Sequence, residues 1–207
     1  MSRPCYQQRG DTCGYWCTRI AVEILLDRKF KGDELKRFNK YKSMCSKEGV
    51  TLFTSCVRFQ SFFPELGVNF DNVESDGKFS SDHIVKELNK PNTVCLLNMQ
   101  NMDFQKNTIV ENQKEKYGHN VCCYEYDGTN FMIQDSNKYR KDCKKTLTRE
   151  MVDTGYNKYV DADLEQVLRL NKTIFHVSEV VAVYLGEPRE QARVVRRSRR
   201  RRINIKL

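Results

Sequence analysis

The sequence predicts an α+β fold in which an N-terminal helical part packs on an antiparallel sheet. Three observations support this prediction. Residues 12–26 carry apolar side chains at the helical period, residues 117–136 have the pattern of a β-hairpin, and residues 173–185 alternate and then run apolar as sheet strands do. Helices that precede strands in this way are typical of the α+β class.

The first helix follows a polar loop, and a cysteine stands at the junction. Asp11 and Thr12 are both candidate N-caps, because a short side-chain oxygen can accept a free amide of the first turn. The helix then presents a broad apolar stripe that includes Trp16, Ile20, Leu25 and Leu26. We therefore expect the core to hold this helix, and the cysteine at its start, in a fixed position.

Cys13 lies in the first turn of this helix, where free amides and the helix dipole favour an anion. These conditions stabilise a thiolate and lower the pKa of the thiol, as a nucleophilic cysteine requires. Gln7, six residues upstream, could fold back and donate to an oxyanion together with the backbone amide of Cys13. The alternative is that Cys13 is a buried structural thiol, as most cysteines are.

The next elements follow from apolar periodicity and turn residues. We expect an exposed helix over residues 33–41, a helix over 51–63 that begins after Thr51 or Thr54, a short strand at 68–70, a helix over 82–88 capped by Ser80 or Ser81, and a central strand over 93–99. Residues 100–116 are polar and aperiodic, and we interpret them as a loop that borders the site. Residues 147–152 and 164–170 are expected to form short helices or a lid.

The hairpin places two polar side chains together. Its strands alternate on either side of Asp127-Gly128-Thr129-Asn130, which is a turn signal. His119 begins the first strand and Asp135 ends the second, so an antiparallel hairpin brings them side by side. A carboxylate beside an imidazole fixes its tautomer and stabilises the imidazolium. The alternative is a strand-end histidine and an aspartate that caps a turn.

Together these residues resemble a known group of enzymes. The matching positions are Gln7, Cys13-Gly14, Gly118-His119, Tyr126-Asp127-Gly128 and Asp135. This arrangement resembles the papain-like cysteine peptidases, and within them most resembles the C39-like (double-glycine leader) peptidases. There are two departures: Ser136 stands where those peptidases usually have proline, and Tyr15-Trp16-Cys17 replaces their usual run of small residues.

The resemblance implies a cysteine-dependent hydrolase that cleaves a peptide or isopeptide bond in a protein or peptide substrate. In that reading Cys13 attacks, His119 transfers the proton, Asp135 orients His119, and Gln7 donates to the oxyanion. No metal or cofactor is required. The same residues would also serve a glutamine deamidase or a transglutaminase-like enzyme, since these form a thioester too.

Two other uses of the cysteines stay open from the sequence. Cys17 lies one helical turn after Cys13 and could be the nucleophile, although a packed core thiol is the preferred interpretation. Cys13, Cys17, His119 and Cys122 or Cys123 could instead bind zinc. Two observations argue against zinc. The closely spaced pairs of cysteines that are typical of structural zinc sites are missing, and Cys122 and Cys123 point to opposite faces of one strand. His83 and His176 are interpreted as a surface and a strand histidine.

Charge divides the chain into a nearly neutral domain, residues 1–188, and a basic tail, residues 189–207, which we expect to be disordered. The tail carries a net charge of +8 out of +9 for the whole chain. Its run from Arg196 to Arg202 could contact nucleic acid or a nuclear-import receptor. A third class of function follows from this tail: a basic nucleic-acid-associated protein with an incidental thiol site.

Composition also indicates where the protein works. The nine cysteines are odd in number and lack the spacing of a disulfide scaffold, which favours a reduced, intracellular protein. No signal peptide and no apolar run of membrane-spanning length is seen, so we expect neither classical secretion nor a transmembrane segment. An intracellular peptidase with such a tail would suit a viral protein or an effector in a host cell.

Overall fold

A computed structural model of the chain describes residue 6 and residues 12–45, 51–76, 79–103, 108–109, 118–136, 144–154 and 175–189. It confirms the α+β class, because helices pack on an antiparallel sheet. The helices are α1 (Cys13–Leu25), α2 (Asp33–Cys45), α3 (Leu52–Phe62), α4 (Ser81–Leu88) and α5 (Arg149–Thr154), with a short 3₁₀ helix at Pro64–Leu66.

The strands are β1 (Val68–Asn72), β2 (Thr93–Asp103), β3 (Thr108–Ile109), β4 (Gly118–Tyr126), β5 (Asn130–Gln134), β6 (Lys144–Thr148) and β7 (Phe175–Leu185). Six of them lie side by side in the order β1-β7-β2-β4-β5-β6, and β3 pairs with the far end of β2. Each of these neighbours is antiparallel. The central strand is β2, as its apolar sequence predicted.

The sheet separates two apolar cores. Because side chains alternate along a strand, Val94 and Leu96 of β2 face one core and Cys95 and Leu97 face the other. The first core lies under α1, α2 and α3, and the second lies under α4 and α5. The helices thus cover both faces of the sheet, and α1 lies against β4 and β2 on the first face.

A buried arginine fixes α1 in the first core. Arg19 bonds Glu23 one turn further along the helix at 2.8 Å, and both side chains are almost completely buried. The guanidinium also lies over the ring of Tyr6, 4.1 Å from its centroid, and donates to the Tyr6 hydroxyl. Glu23 accepts a further bond from the Phe30 backbone amide at 2.8 Å. These charge-assisted bonds tie α1 to the preceding and following segments.

Three of the expected elements need correction. The short helix expected over residues 147–152 begins at Arg149 and runs to Thr154, because Leu147 and Thr148 belong to β6. The helix expected over residues 33–41 runs to Cys45 and is not an exposed helix, because Phe38 and Tyr41 are fully buried among aromatic rings of α1 and α3. The strand expected over residues 93–99 continues to Asp103, since β7 pairs with it as far as Asn101. Partner strands thus extend β2 into residues that lack a local strand pattern.

The buried face of α2 leads to a prediction for stability. Replacing Phe38 with Ala should lower the free energy of unfolding by about 3–5 kcal/mol, because the ring contacts Trp16 and Phe30 in the core and leaves a cavity when removed. Urea unfolding followed by circular dichroism measures the change. Lys40→Ala, on the exposed side of the same helix, serves as the control and should leave stability nearly unchanged. Equal, small effects of both substitutions would contradict the buried packing of α2.

Some expectations fall on residues outside the described ranges. These are Gln7, Asp11, the helix expected over residues 164–170, and the basic run from Arg196 to Arg202. The division at residue 188, the nucleic-acid contact and the intracellular location therefore stay predictions. Within the described ranges, no helix is both long and apolar enough to cross a membrane.

Candidate functional site

The site begins at the first residue of α1. Cys13 opens the helix as the sequence predicted, and Thr12 is the N-cap, its carbonyl accepting the Trp16 amide at 3.2 Å. The expected capping bond from a side chain is not made: the Thr12 side chain does not accept an amide of the first turn. Its backbone angles, φ −120° and ψ 15°, differ from the extended conformation usual at an N-cap.

The predicted hairpin is present and supplies the other half of the site. β4 and β5 pair around a turn in which the Asp127 carboxylate accepts the backbone amides of Thr129 and Asn130, at 2.8 and 2.7 Å. Gly128 in this turn has a φ of +97°, a conformation that side-chain-bearing residues rarely adopt. The register shifts by one residue at a β-bulge between Cys123 and Glu125, and beyond this bulge it places His119, near the start of β4, on the same face as Asp135, just after β5.

His119 and Asp135 are in direct contact. The imidazole Nε2 lies 2.7 Å from the carboxylate Oδ1, and the two side chains are only 16% and 3% exposed. Burial by itself would lower the pKa of His119, but the charge and hydrogen bond of Asp135, together with the contact to Cys13, raise it to about 10. The imidazole is therefore held in its protonated, cationic form at neutral pH.

The cation lies beside the Cys13 sulfur. Burial by itself would raise the pKa of Cys13, but the hydrogen bond and charge of His119, with further bonds from Asn120, lower it below its ordinary value. Since Nε2 of His119 is engaged by Asp135, Nδ1 is the nitrogen that remains for the sulfur. The structure thus brings three of the four predicted site residues, Cys13, His119 and Asp135, into one chain of contacts.

Asn120 also reaches the sulfur, and sequence reasoning missed it. Its side-chain Nδ2 donates to Cys13 Sγ at 3.3 Å. Neighbouring strand residues face opposite sides of a sheet, so the residue after His119 would be expected to point away from the site. Both side chains reach Cys13 because the start of α1 lies directly against this end of β4.

The other thiols nearby are core residues. Cys17 is fully buried, its Sγ donates to the Gly14 carbonyl at 3.1 Å, and burial raises its pKa far above the ordinary value. This confirms the interpretation of Cys17 as a packed core thiol. Cys122 and Cys123 belong to the first and second cores respectively, as expected for neighbours on one strand.

Metal binding has no support in the part of the chain that the structure describes, where no group of three or more His, Cys, Asp or Glu side chains could hold an ion. The zinc grouping that included Cys13 and Cys17 is therefore not formed there. His176 lies buried in β7, as interpreted. His83 is not a simple surface residue, because its Nδ1 accepts the Ser80 amide at 3.1 Å and so caps α4.

Comparison with known proteins finds similarity in structure but not in sequence. No protein-family model matches the chain, and no curated protein matches it in sequence. Among solved structures, the chain is similar to a crystal structure from Bacillus anthracis assigned to the C39-like peptidases. The TM-score is 0.47 and the identity 12%, over 90% of this chain and 96% of that one. The resemblance stated from the sequence and this neighbour name the same group of peptidases.

Proposed function

We propose that this protein is a papain-like cysteine hydrolase that cleaves a peptide or isopeptide bond in a protein substrate. One observation carries the proposal: the Cys13 thiol, the His119 imidazole and the Asp135 carboxylate lie in line, with the pKa of the thiol lowered and that of the imidazole raised. Opposite shifts of this kind favour a thiolate beside an imidazolium, which is the reactive form of a nucleophilic cysteine.

The proposed reaction uses these groups in turn. The Cys13 thiolate attacks the carbonyl carbon, and the carbonyl oxygen becomes an oxyanion. As the intermediate collapses, the imidazolium of His119 gives its proton to the leaving amine, and the acyl group remains on sulfur as a thioester. Neutral His119 then takes a proton from the water that attacks the thioester. Release of the carboxylic acid returns the thiolate and the imidazolium.

Asp135 and the helix start have supporting roles in this proposal. Asp135 holds Nε2 of His119, so that the other ring nitrogen faces the sulfur through both half-reactions. The oxyanion would be bound by the backbone amide of Cys13 at the start of α1, where amides are not used within the helix. Gln7 is proposed as the side-chain donor, since its described neighbour Tyr6 is anchored to Glu23 on α1 at 2.6 Å.

Selective labelling of Cys13 tests the proposal without knowledge of the substrate. At about pH 6, iodoacetamide should modify Cys13 at least about tenfold faster than any of the other eight cysteines, because ordinary thiols with a pKa of about 8.5 are almost fully protonated there. Peptide mapping by mass spectrometry gives the rate at each position. Uniformly slow labelling of the native protein would contradict an activated Cys13.

The products then identify the acyl chemistry. Incubation with a library of peptides should create new amino termini that depend on Cys13. Release of ammonia without new termini would instead assign the site to a glutamine deamidase, which uses the same thioester.

A further inference from the structure

Asn120 occupies a specific position between β4 and the start of α1. Its Nδ2 lies 3.3 Å from Cys13 Sγ, and an ideal Cβ on Gly14 would lie only 3.4 Å from the same nitrogen. The amide is thus packed against the first turn of the helix with its donor directed at the sulfur. Leu52, at the start of α3, also lies close to Gly14, 3.9 Å from the same ideal Cβ.

The backbone of the same residue strengthens this contact. Hydrogen bonding from the backbone of Asn120, as well as from its side chain, lowers the pKa of the Cys13 thiol. Along β4, pairing with β5 reaches only to Cys122, which lies opposite Gln134. Asn120 therefore lies beyond the part of β4 that pairs with β5, and it pairs with Asn98 of β2 on its other side.

The other end of the amide indicates that packing alone does not account for this side chain. Asn120 Oδ1 is buried and has no hydrogen-bond partner among the described residues. A buried acceptor left unpaired is destabilising, and an apolar side chain of similar size would avoid that cost. The contact of Nδ2 with the sulfur is the interaction that an apolar side chain could not provide.

We propose that Asn120 is a further catalytic residue, whose side-chain amide holds the Cys13 sulfur as a thiolate positioned for attack. The inference rests on the proposed thiol function. Hydrogen bonds to a charged acceptor are stronger than those to a neutral one, so the Nδ2 donor favours the thiolate over the thiol. His119 supplies the positive charge on one side of the sulfur, and Asn120 supplies a neutral donor beside it.

The other titratable groups near Cys13 do not replace this donor. They are His119 with Asp135 behind it, Cys17 on α1, Cys122 on β4, Cys56 on α3, and Glu179 of β7 at the start of α3. Burial raises the pKa of the Cys17 and Cys56 thiols, which therefore stay neutral. The Glu179 carboxylate accepts the backbone amides of Leu52 and Phe53.

The test is the pH dependence of Cys13 alkylation in two variants and a matched control. Asn120→Leu removes the side-chain donor, and Asn120→Asp keeps the shape but places a carboxylate beside the sulfur. Asn98 is the control position: it lies directly opposite Asn120 on β2 and also has a buried, unpartnered Oδ1, but does not bond Cys13 in the described structure. Iodoacetamide and peptide mapping give the rate at each pH in the full-length protein.

In Asn120→Leu, the midpoint of the plot of Cys13 alkylation rate against pH should move up by about one pH unit. Labelling at about pH 6 should therefore be about tenfold slower than in the wild type. Asn120→Asp should shift the midpoint further, because a like charge disfavours the thiolate. Asn98→Leu should follow the wild-type profile. Thermal unfolding should show Asn120→Leu to be about as stable as the wild type, since it also removes the unpaired Oδ1.

Three outcomes would overturn the inference. The first is an unchanged profile in folded Asn120→Leu and Asn120→Asp while wild-type Cys13 reacts fast, a result that leaves the proposed function standing. The second is an equal shift in Asn98→Leu, which would assign the effect to the sheet rather than to the contact. The third is a wild-type Cys13 that labels like an ordinary thiol, which overturns the proposed function as well. If Asn120→Leu does not fold, the isosteric Asn120→Asp decides.

Discussion

A Cys13→Ala variant is expected to lose turnover by about 10⁴-fold or more, because no other described group replaces a missing nucleophile at this site. The measurement uses the peptide that the wild-type protein cleaves best from a proteome-derived library, with new amino termini counted over time. The variant should remain folded. Cys13 is only partly buried at the start of α1, and the bond between His119 and Asp135 does not depend on its sulfur.

Cys17→Ala is the matched control for this substitution. It makes the same chemical change one turn further along α1, in a side chain that is fully buried in the first core. Loss of the sulfur there leaves a small cavity and should cost stability on the order of 1 kcal/mol, while turnover at a permissive temperature stays within a few-fold of the wild type. Wild-type turnover in Cys13→Ala, or complete loss in folded Cys17→Ala, would refute Cys13 as the nucleophile.

The candidate site was predictable from the sequence where local signals agreed with the fold. The turn signal of Asp127-Gly128-Thr129-Asn130 predicts the hairpin, but a β-bulge between Cys123 and Glu125 then shifts the pairing by one residue and brings His119, sixteen residues away, onto the same face as Asp135 at 2.7 Å. Cys13 was predictable for a similar reason, since the apolar stripe of α1 begins directly after it. In both cases a short stretch of chain predicts that the residues lie close together, although the bulge that sets the face of His119 was not predicted.

Features that depend on distant partners were not predictable. Phe38 and Tyr41 lie among lysines and an arginine, so that α2 looks exposed until its packing against α1 and α3 is known. The continuation of β2 to Asn101 depends on β7, which is far away in sequence, and its last two residues pair with β3. Asn120 was missed because strand alternation assigns it to the face opposite His119, and only the docking of α1 shows that both reach Cys13.

The second large effect is expected from His119→Ala, and it concerns pH. Without the imidazolium, burial is the dominant influence on Cys13, and the pKa of the thiol should rise above its ordinary value instead of lying below it. At about pH 6 labelling by iodoacetamide should then fall by at least about tenfold, and turnover should fall further because the proton donor for the leaving amine is lost. The rate should recover as pH is raised, since the thiolate then forms without help.

Asp135→Asn separates the charge of the carboxylate from its hydrogen bond. In the wild type the reactive ion pair forms as pH rises through the lowered pKa of Cys13 and is lost as pH rises through that of His119, about 10. The pair titrates as a unit, so these are the two limbs of a bell-shaped profile. An amide at position 135 removes the charge that raises the pKa of His119. The alkaline limb should therefore move to lower pH, with turnover reduced throughout.

His83→Ala is the control for both variants, since it removes another half-buried histidine whose contacts are confined to the start of α4. Loss of this cap should cost stability of about 1 kcal/mol and leave the labelling profile of Cys13 unchanged. Fast labelling of Cys13 at about pH 6 in folded His119→Ala would mean that the start of α1 alone lowers the thiol pKa. In that case the imidazole would not be the partner of the thiolate, and the proposed proton transfer would have to be abandoned.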